Sequence, residues 1–199
     1  ALSRVFPGDW NYPGVTEVES YRRSVEAAGL NIVGLHSLFW ERPDYTMFGD
    51  AATVDETVEF LVRLSALCRD LGGRTLIYGS RTARTKGTRT TEEANALAAD
   101  FFGNLCHRVE DHGTCFCIEP LETEVADYVH SVLESQTVVN AIGHPALKVQ
   151  IDAKAMALAG EVNPETLAAI ADTLVHVHAN EPGFDILGTS GVVDHARIG

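Results

Sequence analysis

Helix boundaries are marked again and again along this chain, and the apolar runs between them are too short for anything but strands. Thr16 with Glu19, Thr53 with Glu56 and Thr90 with Glu93 have the spacing of capping boxes, in which a side-chain oxygen accepts from free backbone N–H groups and the glutamate three positions on reaches back. Asn163 before Pro164 sets a cap ahead of a proline suited to the first helical turn. Gly29, Gly72, Gly113 and Gly143 stand where a left-handed residue closes a helix, and Pro145 forbids continuation past the last. In the second helix Val54, Val58, Leu61, Leu64, Cys68 and Leu71 recur at helical spacing, which predicts one buried stripe. Runs of strand character lie between, at 31–39, 74–80, 115–121, 147–153 and 175–180.

Such alternation predicts a parallel sheet with helices packed outside it, because parallel neighbours need a crossover and a helix is the usual one. An open doubly wound sheet and a closed barrel both satisfy the order. No glycine-rich dinucleotide fingerprint follows a strand, and the loop at 79–86 lacks phosphate-cradling spacing, which weighs against the nucleotide-binding form.

Side chains alternate across a strand, so counting in twos sorts the later strands into faces. Cys115, Cys117 and Glu119 share a face, as do Lys148, Gln150 and Asp152, and His176 with His178. A parallel strand covered on both sides reads as continuously apolar, so three successive strands with one polar face call for a barrel interior. Glu119, Asp152 and His178 end their strands at the C-terminal side, where barrel enzymes place their chemistry. Two carboxylates and an imidazole suit one divalent ion, Mn²⁺, Mg²⁺, Co²⁺ or Zn²⁺. Taken singly, each has a plainer reading: Glu119 ends a strand before Pro120, Asp152 caps the next turn, and either histidine is a hydrogen-bonded core residue.

Charge narrows the partners. With 199 residues, 45% of them hydrophobic, the chain suits one core and is read as a single domain over 1–199. A net charge of −13 repels a phosphate backbone, so nucleic acid is not expected as a partner. Arg81, Arg84, Lys86 and Arg89 form the one basic cluster, read as a solvated loop, although a small anionic substrate stays open. No apolar stretch approaches the roughly 20 residues that cross a bilayer, no signal core opens the chain, and no membrane partner is expected. The four cysteines show neither a disulfide framework nor zinc-knuckle spacing, which fits a reducing cytoplasm.

The segments CIEPLETEVADYVHS, HPALKVQIDAKAM, HVHANEPGF and GVVDHARIG, preceded by GLHSLFW and LIYGSRTAR, resemble in order the xylose-isomerase-like barrel proteins described as sugar phosphate isomerases/epimerases. The resemblance implies a (β/α)8 TIM barrel, here partial, without a recognisable first strand and without the eighth, whose glutamate is the family's fourth metal ligand. Missing strands leave unpaired edges, from which self-association into a homo-oligomer is expected. Glu119, Asp152 and His178 fall on the family's metal positions, and Glu119 is expected to move a proton as well. The implied activity is isomerisation or epimerisation of a sugar or sugar phosphate, the metal holding adjacent oxygens of a hydroxy-carbonyl substrate and stabilising an enediolate. Candidate substrate contacts are His36, Glu124, Lys154 and Glu181. Ala155 and Phe184 stand where the epimerase branch carries histidine and arginine, and Glu124 lies one position early. Dehydratase or lyase chemistry and a catalytically inactive sugar-binding barrel are the nearer alternatives. A DNA-repair endonuclease, favoured by neither charge nor histidine count, is the more distant one.

Overall fold

The apolar runs become strands that pair in chain order. In the computed structural model, which describes Val5, Phe6 and residues 13–199, β1 (Gly34–Leu35), β2 (Thr75–Tyr78), β3 (Cys115–Ile118), β4 (Leu147–Asp152) and β5 (Leu174–His178) make one parallel sheet, each strand beside its predecessor. A doubly wound sheet reverses its strand order at a switch point. These five strands do not, so they form half of a barrel wall. Most of the region before Pro13, where a first strand was sought, and the Phe184 side chain lie outside the described residues.

The crossovers are α1 (Val15–Ala27), α2 (Ala51–Asp70), α3 (Thr91–Arg108), α4 (Val132–Ile142), then α5 (Ala153–Leu158) with α6 (Pro164–Ile170); α7 (His195–Ile198) follows β5. The Thr90 box forms as read, with Glu93 N–H donating to Thr90 Oγ1 at 3.2 Å and Thr90 N–H to Glu93 Oε2 at 2.8 Å. Asn163 Oδ1 accepts from Thr166 N–H at 2.8 Å, with Pro164 in the first turn. Two starts differ from expectation. Helix α2 is capped three residues earlier than expected, because Asp50 Oδ1 takes the Thr53 N–H at 2.8 Å, and a carboxylate at that end also meets the positive helix pole. Helix α1 starts at Val15, where Glu17 reaches back to Gly14 N–H at 2.9 Å, so the expected Thr16–Glu19 pair lies inside the helix. Gly29, Gly72, Gly113 and Gly143 all take positive φ, as the helix endings require.

The α2 stripe is buried as predicted, with Val58, Leu61, Leu64 and Cys68 fully enclosed. Above it Tyr78 sits in an aromatic cluster, edge-on to Phe39 at 5.4 Å and Phe102 at 5.1 Å, with its hydroxyl on the Ala83 carbonyl at 3.2 Å.

The basic segment departs most from its reading. Arg84 is not solvated but 1% exposed, and its guanidinium donates to the carbonyls of Tyr78, Ser80, Glu119 (2.7 Å) and Val129. Lys86 Nζ meets the Arg89 carbonyl, and Arg89 reaches Phe48 and Lys86 carbonyls. A guanidinium offers five donors in a fixed fork, enough to tie several carbonyls together. Burial without a carboxylate partner is therefore tolerated here by a cage of backbone oxygens.

Candidate active site at the strand ends

Register brings the strand ends level. Tyr78 pairs with Ile118, Ile118 with Val149, and Asp152 with His178, so residues just past β2 and β3 meet the inward side chains of β4 and β5. Glu119, the first residue after β3, is held by its main chain: its N–H donates to the Tyr78 carbonyl at 3.3 Å and its carbonyl accepts from Arg84 at 2.7 Å.

The Glu119 side chain is 5% exposed and occupies space that only a glycine leaves open. A Cβ placed on Gly79 would stand 1.7 Å from Glu119 Oε2. The other oxygen, Oε1, accepts from Gln150 Nε2 at 2.8 Å and lies 2.8 Å from His178 Nδ1. Gln150 Nε2 is also 2.7 Å from that same Nδ1. The ring nitrogen has one hydrogen at most on Nδ1, so it cannot both donate to Glu119 and accept from Gln150. When it accepts, its lone pair side by side with the carboxylate leaves negative potential that a proton or a cation must neutralise. Gln150 is fully buried, and its own carbonyl oxygen has no hydrogen-bond partner among the described residues.

Two further imidazoles crowd His178. His36 lies edge-on at a centroid distance of 5.1 Å, steadied by Ser37 Oγ at 3.1 Å from its Nδ1, and His176 lies edge-on at 5.0 Å. One ligand atom each from His36, Glu119 and His178 falls within 4.8 Å of the others. Two atoms bound to one ion at about 2.1 Å are at most about 4.2 Å apart, so the cluster is close to binding size, and two imidazoles with one carboxylate suit a borderline divalent ion. The hydrogen bond to Glu119 raises the pKa of His178, with the carboxylate's charge adding to it. Burial alone would raise that of Glu119, but the bond and charge of His178, then the charges of His36 and Arg84, leave it below the ordinary carboxylate value. Burial lowers His36 and His176, which favours the neutral form a metal needs.

The other expected site residues are placed differently. Asp152 uses Oδ1 to cap α5 through Ala155 N–H at 2.9 Å and Oδ2 to accept from Asn180 at 2.7 Å, although its charge reaches His178. Lys154 pairs with Glu122 at 2.8 Å, and its backbone N–H binds Asn180. Glu181 is 1% exposed and is spent on the following loop, accepting from Gly188 N–H, Ser190 Oγ and His195 Nε2. Glu124 is exposed. Thus Glu119 and His178 come together, His36 joins them in place of Asp152, and Gln150, Gly79, Arg84 and Glu122 are additions. Of these only Gln150 had a signal, its place on the polar face of β4 between Lys148 and Asp152. Beside the cluster opens a cavity of about 240 Å³ lined by His36, Ser37, Phe39, Trp40, Gly79 and Ser80.

Residues 5–199 match the family described as xylose isomerase-like TIM barrel. The chain belongs to that family. Its fold is shared by a 3-keto-D-glucoside 4-epimerase of E. coli in its apo form, 16% identical, with a TM-score of 0.72 over 89% of this chain and 71% of that one. A D-psicose 3-epimerase solved in the presence of D-fructose is 17% identical, with a TM-score of 0.74 over 90% of this chain and 63% of that one. The IOLI protein, whose structure carries a zinc atom, is 17% identical with a TM-score of 0.56 over 73% of this chain and 50% of that one. This member of the xylose isomerase-like family therefore spans between half and about seven-tenths of these proteins. No curated protein matches it by sequence.

Proposed function

We propose that this member of the family is a sugar isomerase or epimerase that works with one divalent metal ion. The observation that carries the reading is the Glu119 carboxylate, locked by Gln150 and His178 on Oε1 and free to act through Oε2. Oε2 lies over Gly79, which lines the cavity, so a sugar there would present its carbon-bound proton to a carboxylate kept ionised by its neighbours. Its epimerase fold neighbours fit the same chemistry.

His36, Glu119 and His178 would hold the ion, and Asp152, itself the α5 cap, would join them by giving up the Ala155 bond. Such an ion, when bound, polarises a substrate carbonyl and stabilises charge as it develops on oxygen. Glu119 takes the proton from the carbon next to that carbonyl; isomerisation returns it to the neighbouring carbon, and epimerisation requires a second group to deliver one to the opposite face. Gln150, fully enclosed, keeps water from Oε1 and fixes the carboxylate plane. Lys154, paired with Glu122 at 2.8 Å, is the further residue we assign to substrate hydroxyls.

Elemental analysis of the purified protein beside His36→Ala, Glu119→Gln, Asp152→Asn and His178→Ala tests the ligand set. About one divalent ion per chain, lost from variants that keep native circular dichroism, is expected. A metal-loaded protein that cannot exchange the proton beside a ketose carbonyl for deuterium in heavy water would defeat the catalytic part.

A further inference from the structure

The inward face of β3 carries more than Glu119. Cys115 and Cys117 stand on the same face, nearer the N-terminal end of the strand, while Phe116 and Ile118 turn the other way into the core under the helices. Neither thiol belongs to that core, and the proton chemistry uses neither. The two sulfurs are neighbours: a hydrogen bond joins the thiols and is the main reason that Cys115 lies below the ordinary thiol value. Cys117 is fully buried and Cys115 half-buried, so one sulfur is open to an arriving ligand and the other sheltered. Lys148 faces Cys117 in the β3–β4 register, and its charge also lowers Cys115. Its Nζ reaches the Asp172 carbonyl at 3.5 Å and has no carboxylate partner among the described residues. On the other side of β3, Thr75 and Ile77 bring no charge.

A disulfide suits this pair poorly. Same-face neighbours on a strand are about 6.6 Å apart at Cα, close to the upper limit of about 6.8 Å that a disulfide spans. Closing one would pull β3 out of its pleat, and β3 is paired on both sides. An ion between the sulfurs asks for less movement, since two metal–sulfur bonds of about 2.3 Å bridge about 4.6 Å, against about 2.05 Å for a sulfur–sulfur bond.

Coordination number then selects the ion. Structural zinc takes four ligands, and iron–sulfur clusters take four cysteines. Among the described residues the one group of three ligand atoms within 4.8 Å is His36, Glu119 and His178, so no third cysteine, histidine or carboxylate joins the pair. Cys68 and Cys106 lie in the core on the helix side of the sheet. Copper(I) is soft, prefers thiolates and is satisfied by two of them. Two thiolates around one Cu⁺ leave a single negative charge, and the Lys148 ammonium supplies its counterpart.

We propose that Cys115 and Cys117 form a two-sulfur site for copper(I) on the inner face of the barrel wall, with Lys148 as counter-ion, separate from the divalent-ion cluster at the strand ends. Cu⁺ meets Cys115 first and Cys117 second. Both thiol protons pass to solvent, and neither sulfur nor copper changes oxidation state. The site stands or falls independently of the sugar chemistry proposed above.

The test is anaerobic titration of metal-free protein with Cu⁺ in competition with bathocuproine disulfonate. It compares wild type, Cys115→Ser, Cys117→Ser, Lys148→Met, His178→Ala and a double variant, Cys68→Ser with Cys106→Ser. About one Cu⁺ per chain is expected in wild type. Either Cys115→Ser or Cys117→Ser should weaken binding more than about 100-fold, and Lys148→Met about tenfold. His178→Ala and the double variant should bind as wild type does. Where a serine variant does not fold, wild type decides alone: bound Cu⁺ should stop iodoacetamide from labelling Cys115, and X-ray absorption should show two sulfur neighbours and no nitrogen. Copper that persists in both serine variants, that is lost with His178→Ala, or that has nitrogen neighbours overturns the site. So does a wild type that takes up no Cu⁺.

Discussion

Gly79 makes room for the Glu119 carboxylate by having nothing on its α-carbon. A methyl group there would meet Glu119 Oε2 at 1.7 Å, and the carboxylate, pinned on its other oxygen by Gln150 and His178, has to give way. Displacing a reacting group by about 1 Å costs on the order of 100-fold in rate. Gly79→Ala is therefore expected to keep its circular dichroism spectrum while turnover falls about 100-fold, measured as deuterium exchange into a sugar substrate. The Glu119–His178 pair also makes a pH signature. His178 is raised, so its contribution is complete below the ordinary imidazole value of 6.5 and fades as pH climbs through its folded value. Glu119 is lowered, so its contribution is complete above 4.5 and fades as pH drops through its folded value. In chelator-treated protein, the excess in thermal midpoint of wild type over His178→Asn should peak between pH 4.5 and 6.5 and shrink on both sides. A flat difference would mean that the two groups do not interact in solution.

Arg84 connects β2, its following turn and the end of β3 by donating to the carbonyls of Tyr78, Ser80 and Glu119. Arg84→Met leaves those oxygens buried and unpaired, and losing bonds to a charged donor costs about 1.5–3 kcal/mol for each partner that cannot relax. Urea denaturation should show a loss of about 3 kcal/mol or more, with Arg84→Lys recovering part of it. The elements show where sequence reading succeeds. The Thr90 box and the Asn163–Pro164 start depend on neighbours three residues apart, so local chemistry decides them. Asp50 displaced Thr53 because two adjacent caps competed and the carboxylate gains from the helix pole. β1 is only Gly34–Leu35, although its run of strand character is longer, because it pairs on one side within the described sheet and Ser37 turns the chain. Alternation put Glu119 and His178 on one face, and their side chains meet at 2.8 Å. The cap on Asp152 was the plainer of its two local readings, whereas His36 leaning across to His178 had no local mark, since it depends on loop geometry. Arg84 was misread for the same reason: a basic residue in a loop carries no local mark of the carbonyl cage around it.

At the scale of the whole molecule, the core itself can be probed through its sulfur atoms. Burial pushes the thiols of Cys68 and Cys106 up to about 12, and both are fully enclosed beneath the sheet. Cys115 is the exception, its pKa lowered by a hydrogen bond with Cys117 and then by Lys148. Iodoacetamide at neutral pH should alkylate Cys115 first, as resolved by mass spectrometry. Cys68 and Cys106 should react only as fast as the chain unfolds globally. Labelling of Cys68 and Cys106 while Cys117 stays protected would show that the helices open independently of the sheet.

The order in which the strands pair has a consequence for synthesis. Each strand joins the one made just before it, so the wall grows from the N-terminal side as the chain leaves the ribosome, through contacts that are short in sequence. The Glu119 cluster does not follow that schedule. Its parts come from β1, the end of β3, β4 and β5, and the Glu119–His178 contact spans 59 residues. A nascent chain can therefore be largely built and still lack the cluster, which is complete only when β5 closes the row.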